Sequence, residues 1–544
     1  YHRCSSTSIL YDPLILPNIE IQMIDRNDEK AWNLYKDGLT KGLFQLESNL
    51  GRAWSKRVIP KNLEELGALI AIIRPGTLKA ISDGKSMTQR FVDRKHLVEE
   101  VEYLHPSLED ILDTTYGVLV YQEQAMRIAV KLGGFNEMEA DNLRKAIGKK
   151  KAALMAEIRG QFIQGCGKVG LVDLDTANQI FDWIEKSSRY SFNKSHAISY
   201  ALDSYWTAYY KANYTKEFFL AYLYYAHQKQ DPKQEIYELV SEAKMFDIEV
   251  TTPKIGRFSE KFAIFGEDIQ FGIRDIKGLT GVTGTKVVKA IKETSELIDK
   301  PLQDLTWMDI LVYIAPKITS TAFKALASVG FFSTKKTKVT RNEALYEYLI
   351  WKELTKKETE WIANNYPERK WTDFAECLME LSPTKKEGGG CSNVNRSKIV
   401  YNEVEMLANP PYSLKDDPQW VIATEVGLLG CPVSYQHTDA IDTSIANTTC
   451  KEVMDGKTGD GVCIVANVRR VSNHKINKQS STQKGRIMSF LTIEDSTSSL
   501  DSVIIFPDAR DKYQFILYEG ANLMLCGKVD AKDSSFIIDK IHEI

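Results

Sequence analysis

The 544-residue sequence contains no apolar run of about 18 or more residues, so no transmembrane helix is expected. Its first residues, YHRCSSTSIL, lack the charged-then-apolar pattern of a signal peptide. The chain does not open with Met, which points to a processed protein or a piece of a longer one. Cysteine is sparse: the eight are Cys4, Cys166, Cys377, Cys391, Cys431, Cys450, Cys463 and Cys526. None forms a C-x-x-C pair. The tight spacing of a disulfide framework or zinc ribbon is missing, and reduced thiols in a cytosolic compartment are expected. An excess of either charge is missing too. Seventy Lys and Arg face 73 Asp and Glu, a net charge of −3, which argues against coating nucleic acid by overall charge and leaves only local patches for that purpose. The hydrophobic fraction of 43% and charged fraction of 26% exclude a largely disordered chain. At about 100–200 residues per domain, three to five domains are expected.

The order of patterns predicts a multidomain α+β protein. Residues 1–60 mix short apolar runs with turns, whereas apolar positions at i, i+3 and i+4 make 61–250 mainly helical. Residues 251–355 begin extended, with a hairpin signal in FAIFGEDIQFGI, and then turn helical. The stretch 356–455 contains PTKKEGGGCSNVNRSK at 383–398, whose composition predicts a flexible loop or linker. Residues 456–544 alternate strongly. They predict five strands, with one short helix near 508–517 between the third and fourth, the plan of an OB-fold β-barrel. No internal repeat is visible.

Chemistry-bearing residues concentrate between Arg74 and Ser199. Arg74 precedes a Pro75-Gly76 turn that presents it at the end of an apolar helix. Tyr121-Gln122-Glu123-Gln124 heads another helix. Arg144 and Lys145, followed by Lys149, Lys150 and Lys151 after Gly148, place five cations in eight residues. They read either as a solvated helix end, where the macrodipole favours cations, or as a phosphate clamp. Tyr190-Ser191-Phe192-Asn193-Lys194-Ser195-His196 mixes aromatics, an amide, a hydroxyl and two basic groups, a set that a core would have to satisfy partner by partner. A triphosphate site uses all of them: Lys194 and His196 neutralise oxygens, Ser195 donates, and Tyr190 offers a flat face. A helix start capped by Asn193 or Ser195 is compatible with that use.

Two further segments suit nucleic acid. Lys277-Gly278-Leu279-Thr280-Gly281-Val282-Thr283-Gly284, leading to a helix that carries Lys286, spaces glycines by three. It reads as an ordinary turn or as a loop whose N–H groups hold a DNA phosphate without reading sequence. The loop 472–485 holds His474, Lys475, Lys478 and Lys484. It reads as a solvated loop or as a single-strand contact of the barrel.

In order along the chain come GLFQLES at 42–48, IRPGTL at 73–78, FVDRKH at 91–96, YGVLVYQEQ at 116–124, ADNLRKAIGKKK at 140–151, FNKSHAISYAL at 192–202, FGIRDIKGL at 271–279 and ALASVGFF at 325–332. These stretches resemble the bacterial replicative DNA polymerase III alpha subunit, a C-family polymerase, over most of 30–355 and 455–544. The resemblance implies nucleotide-binding fingers, then a helix-hairpin-helix module on duplex DNA, then an OB domain near single-stranded template. It places Arg144, Lys145, Tyr190 and His196 in the nucleotide site.

The family's palm carries three Asp residues that hold two Mg²⁺ ions, in a D-x-D motif and in a strand before GLFQLES. Neither pattern precedes GLFQLES here. Asp12, Asp25 and Asp28 are the nearest acids, in different surroundings, and no catalytic or metal residue is expected in this chain. The expected role is therefore the C-terminal portion of a split or processed polymerase, inactive alone. A palm-containing polypeptide would hold the Mg²⁺, and dNTP would be the substrate. Primer-template DNA is the expected partner, with a sliding clamp or other replisome proteins, no membrane, and a cytoplasmic location at a nucleoid or viral replication site. The other reading is a non-enzymatic DNA-binding replisome subunit built from polymerase parts.

Overall fold

The computed structural model describes residues 23–79, 81–82, 84–149, 152–188, 190–439, 441–476, 482–531 and 535–544. The chain divides into two compact units between Ala221 and Tyr222.

The first unit is helical. It runs through α1 (Glu29–Asp37), α2 (Asn49–Val58), α3 (Leu63–Ile72), α4 (Met87–Lys95), α5 (Gln122–Gly133), α6 (Glu137–Lys149), α7 (Ala152–Val169), α8 (Leu174–Ser188) and α9 (Lys194–Asn213). Side-chain caps set several starts: Asp28, Ser48, Asn62 and Asn193 each accept the backbone N–H three residues on. Helix α3 is nearly all apolar and buried, and packs along α9. Helices α5 to α8 share a separate core in which Leu132, Leu143, Phe162, Phe181 and Ile184 are fully buried. Each such side chain contributes about 1.5–3 kcal/mol by leaving water.

The second unit opens with α10 (Pro232–Lys244) and a small sheet of β1 (Val250–Thr251), β2 (Ala263–Phe265) and β3 (Asp268–Gln270). Strand β3 lies between the other two, antiparallel to β2 across a turn at Gly266, as the sequence alternation predicts, and parallel to β1. Helices follow: α11 (Val282–Leu297), α12 (Ser320–Ser328), α13 (Arg341–Glu353), α14 (Lys356–Arg369), α15 (Phe374–Leu381), α16 (Val394–Ala408) and α17 (Pro418–Leu429).

The segment 383–398 is not the open linker its composition predicts. Thr384 and Cys391 form a parallel bridge, and Gly390 N–H donates to Leu381 O at 3.0 Å. Arg396 Nε donates to the buried Glu358 at 2.8 Å. The glycines are there because this turn packs closely: a side chain at 389 or 390 would run into Pro383 or Leu381.

The chain ends in a closed barrel of β4 (Gly459–Lys475), β5 (Ile487–Glu494), β6 (Ser499–Ile505), β7 (Asn522–Val529) and β8 (Phe536–Glu543), with α18 (Pro507–Tyr513) between β6 and β7. All neighbours pair antiparallel except β6 and β8, which pair parallel and close the barrel. This is the OB plan. Alternate residues such as Ile464, Leu491, Val503, Leu525 and Phe536 fill its interior.

Two expectations change here. Reduced thiols do not describe every cysteine, because Cys463 and Cys526 sit opposite each other on β4 and β7 and form a disulfide. Residues 63 apart in sequence become neighbours only through strand register, which cysteine spacing does not reveal. The first inter-strand loop is also shorter than 472–485. Strands β4 and β5 pair out to Lys475 and Ile487, so His474 and Lys475 stand on a strand. No helix among the described residues is long and apolar enough to cross a membrane.

Candidate nucleotide and nucleic-acid interface

The most structured cluster of polar groups surrounds the start of α9. A short bridge joins two of the sequence motifs: Gln122 N–H donates to Phe192 O at 2.9 Å, and Phe192 N–H donates to Val120 O at 3.0 Å. Gln124 holds the first motif in shape, its Oε1 accepting the N–H groups of Val120 and Tyr121 at 2.9 Å. Glu123 then reaches across to the second motif. It accepts Asn193 Nδ2 at 2.7 Å and Lys194 N–H at 2.9 Å. With Asn193 Oδ1 taking His196 N–H at 2.8 Å, the start of α9 is fixed.

Arg74 completes this arrangement. Its Nη2 donates to Tyr190 O at 2.9 Å, and its guanidinium lies 4.3 Å from the centre of the Phe192 ring. Partial burial lowers its proton affinity without threatening its charge. The Tyr190 ring lies against Gly76, where a Cβ would come within 2.7 Å of its Cδ1. The Pro-Gly turn is thus matched to an aromatic neighbour 114 residues away.

The His196 ring sits between Phe192 and Tyr200, at 5.4 and 3.9 Å between centroids. Its nitrogens and the Ser195 hydroxyl have no hydrogen-bond partner among the described residues. Lys194 Nζ pairs with Glu64 at 2.9 Å across partly exposed side chains, an interaction worth little and easily exchanged for a stronger anion. Arg74, Tyr190, Lys194, Ser195 and His196 therefore do come together.

Arg144 and Lys145 do not join them. Both turn to Asp141 on their own helix, at 2.7 and 2.8 Å, and these contacts hold the Asp141 carboxyl below its usual range. The side chain of Lys149 and residues Lys150 and Lys151 fall outside the description.

Glu123 stands in the YGVLVYQEQ motif, where sequence alone gives it no task. Its position two residues into α5 was a usable signal for a helix-start anchor, but its partner on α9 was not visible. Lys95 shows the opposite outcome. It lies in FVDRKH, yet is buried against Glu65, where Tyr116 OH also donates at 2.7 Å. That motif residue holds the fold.

In the second unit, Gly281 begins α11 with φ +60°, a backbone region that favours glycine. Lys277 N–H is taken by Leu428 O at 2.9 Å, whereas the N–H groups of Val282, Thr283 and Gly284 have no acceptor among the described residues. Gly284 lies inside α11, where a Cβ would meet Leu279 O at 2.1 Å. Gly278 has φ +89° in the turn before the helix, and Lys286 follows on α11's exposed side. On the barrel, Lys475 and Lys484 are exposed, and the His474 ring meets Phe490 edge-on at 6.4 Å. Lys478 lies outside the described residues.

No three His, Cys, Asp or Glu among the described residues converge as a metal site. Asp28 caps α1 and accepts Asn213 Nδ2 at 2.9 Å, while Asp25 accepts Asn27 N–H at 2.9 Å. Neither is arranged to share an ion. Asp12 lies outside the described residues.

The family described as the bacterial DNA polymerase III alpha subunit finger domain matches residues 13–170. That interval contains Arg74, the YGVLVYQEQ motif and the Arg144–Lys145 helix. The DNA polymerase III subunit alpha of Aquifex aeolicus is 43% identical over 254 residues, covering 46% of this chain and 21% of that protein. The one from Bacillus subtilis is 29% identical over 522 residues, covering 94% of this chain and 41% of that protein. The chain is similar to bacterial DNA polymerase III alpha subunits, with the finger-domain match lying at residues 13–170. It spans about two fifths or less of the length of these curated alpha subunits. The alpha-subunit likeness extends well past residue 170 and into the barrel, because the Bacillus match covers 94% of the chain.

Proposed function

We propose that this chain supplies the fingers and the DNA-binding modules for template-directed DNA synthesis, with the metal-holding palm on a separate polypeptide. The observation that carries the reading is the cluster at the start of α9. Arg74, Lys194 and His196 converge there beside an open hydroxyl and two aromatic faces.

In this reading the triphosphate of an incoming dNTP lies at the α9 start. Lys194 leaves Glu64 for a phosphate oxygen, His196 and Ser195 donate to others, and Tyr190 supports the sugar or base. Arg144 and Lys145 join when phosphate replaces Asp141. No metal-ligating cluster occurs among the described residues, and in this reading the palm polypeptide supplies the metal chemistry. The α11 start, read as part of a helix-hairpin-helix module, holds duplex phosphate on its open N–H groups and on Lys277 and Lys286. The barrel face with Lys475, Lys484 and the loop carrying Lys478 tracks single strand.

The test is primer extension by this chain reconstituted with a C-family palm polypeptide. His196→Ala or Arg144→Ala should raise the apparent nucleotide KM by roughly 10–150-fold, the loss of about 1.5–3 kcal/mol from a charge-assisted phosphate contact. An unchanged nucleotide dependence in both variants contradicts the assignment.

A further inference from the structure

One polar group beside the start of α9 is left without a partner. Tyr121 is 1% exposed, and its hydroxyl has no hydrogen-bond partner among the described residues. A buried hydroxyl left unpaired costs a cost that Phe would avoid, and none of the roles given above to the nucleotide site uses this one.

Three relationships place that oxygen. Gly67 on α3 leaves room for it: a Cβ there would lie 3.5 Å from Tyr121 Oη and 3.6 Å from the backbone carbonyl carbon of Ala197 on α9. Glu64 stands three residues before Gly67, one turn away on the same face of α3. Lys194 Nζ lies 2.9 Å from Glu64 Oε2 and 5.7 Å from the centre of the Tyr121 ring. Glu64, Lys194 and the Tyr121 hydroxyl therefore border one space between α3 and the start of α9. Burial, and then the nearby charges of Glu64 and Glu123, hold the Tyr121 hydroxyl protonated well above its ordinary range, so it is a donor.

The two carboxylates here are committed differently. Both Glu123 oxygens are taken, by Asn193 Nδ2 and by Lys194 N–H. Glu64 has one partner among the described residues, the Lys194 ammonium, and the pair is exposed enough to exchange. Once Lys194 turns to a phosphate, Glu64 is left as a bare anion beside a triphosphate, a like-charge contact that opposes binding. The unpaired hydroxyl is a donor within the same space.

We infer that Glu64 is a resident counter-anion of the nucleotide site: it holds Lys194 while the site is empty, yields it to the triphosphate, and is then received by the Tyr121 hydroxyl. The inference rests on the reading that nucleotide binds at the α9 start. Glu64 and Tyr121 are positioning residues that act through Lys194. No covalent bond changes; an ion pair is exchanged for an O–H to carboxylate hydrogen bond.

The test is the affinity for dTTP of the full chain reconstituted with the palm polypeptide on primer-template DNA that calls for dT. Glu64→Ala should tighten dTTP binding roughly threefold or more, a gain that structural damage does not produce. Tyr121→Phe should weaken it by a similar factor, because Glu64 then has no donor to receive it. In the double variant the Tyr121→Phe loss should vanish, since there is no carboxylate left to rehouse. Without nucleotide, Tyr121→Phe should melt no lower than the parent. If it does not fold, Glu64→Ala, at a half-exposed position, carries the test. Unchanged or weaker binding in Glu64→Ala, or a Tyr121→Phe loss that persists in the double variant, overturns this inference alone provided that His196→Ala still weakens dTTP binding. If His196→Ala also binds like the parent, or the parent binds no dTTP, the nucleotide reading fails and the inference falls with it.

Discussion

Tyr190 lies against Gly76 so closely that a single added carbon at 76 would come within 2.7 Å of its ring. The contact ties the Pro-Gly turn to the α9 cluster, and it yields a substitution that touches neither charge nor hydrogen bond. Gly76→Ala should displace the Tyr190 ring and raise the nucleotide KM of the reconstituted polymerase several-fold, with circular dichroism unchanged. A parental KM in a variant that folds normally would remove Tyr190 from the site.

Glu347 carries a pH signature in the second unit. Burial pushes its carboxyl up to about 7, while Trp307 Nε1 donates to it at 2.6 Å. An acid whose folded pKa is raised stabilises the fold only while it stays protonated. Stability should be greatest below the unfolded value of 4.5, fall as pH rises towards 7, and level off above. Glu347→Gln keeps an acceptor for Trp307 without the charge. It should be about 1–3 kcal/mol more stable than the parent at pH 8, with the gap closing near pH 4.5. Urea unfolding at both pH values reads this directly. An equal gap at both would place the effect elsewhere.

The two DNA contacts separate by salt dependence. Gly281 at φ +60° cannot be replaced without straining the loop itself, so lysines are the cleaner probes. Lys277→Ala with Lys286→Ala should weaken duplex binding, and Lys475→Ala with Lys484→Ala should weaken single-strand binding. Each lysine lost should reduce the salt slope by about 1. Fluorescence anisotropy with both DNA forms at several salt concentrations measures this. If single-strand binding stays parental for the barrel pair, that face serves proteins instead.

Strand pairing predicts a specific chemical result for cysteine. Under non-reducing conditions, peptide mapping should recover Cys463 joined to Cys526, with the buried Cys166, Cys377, Cys391, Cys431 and Cys450 as thiols. Closing a loop of this length stabilises by about 4 kcal/mol at most, so reduction should lower the melting temperature of the barrel. Mapping that finds both thiols free in the folded protein contradicts the pairing.

What the sequence made legible followed from local rules. The barrel strands and the short helix before β7 came from period-two alternation, and the Asn193 start of α9 from capping chemistry. Tyr190 and His196 were visible in a mixture that no core would choose, and Arg74 at the Pro-Gly turn that presents it. Long-range partners were not visible. Glu123 clasping Asn193, Asp141 occupying Arg144 and Lys145, and Cys463 facing Cys526 all depend on packing or register, which composition does not encode. The glycines at 388–390 misled for the same reason. Flexible and tightly packed turns draw on the same residue, and only the Pro383 and Leu381 neighbours distinguish them.

The most direct measurement of the nucleotide assignment is photo-crosslinking of an azido-substituted dNTP to the full chain on primer-template DNA, with the labelled peptides mapped by mass spectrometry. Label on the peptides covering Tyr190–His196, competed by unmodified dNTP and reduced roughly tenfold or more by His196→Ala, is the expected result. Competed label confined to other regions, with a yield unaffected by His196→Ala, would show that the α9 start is not where this chain holds a nucleotide.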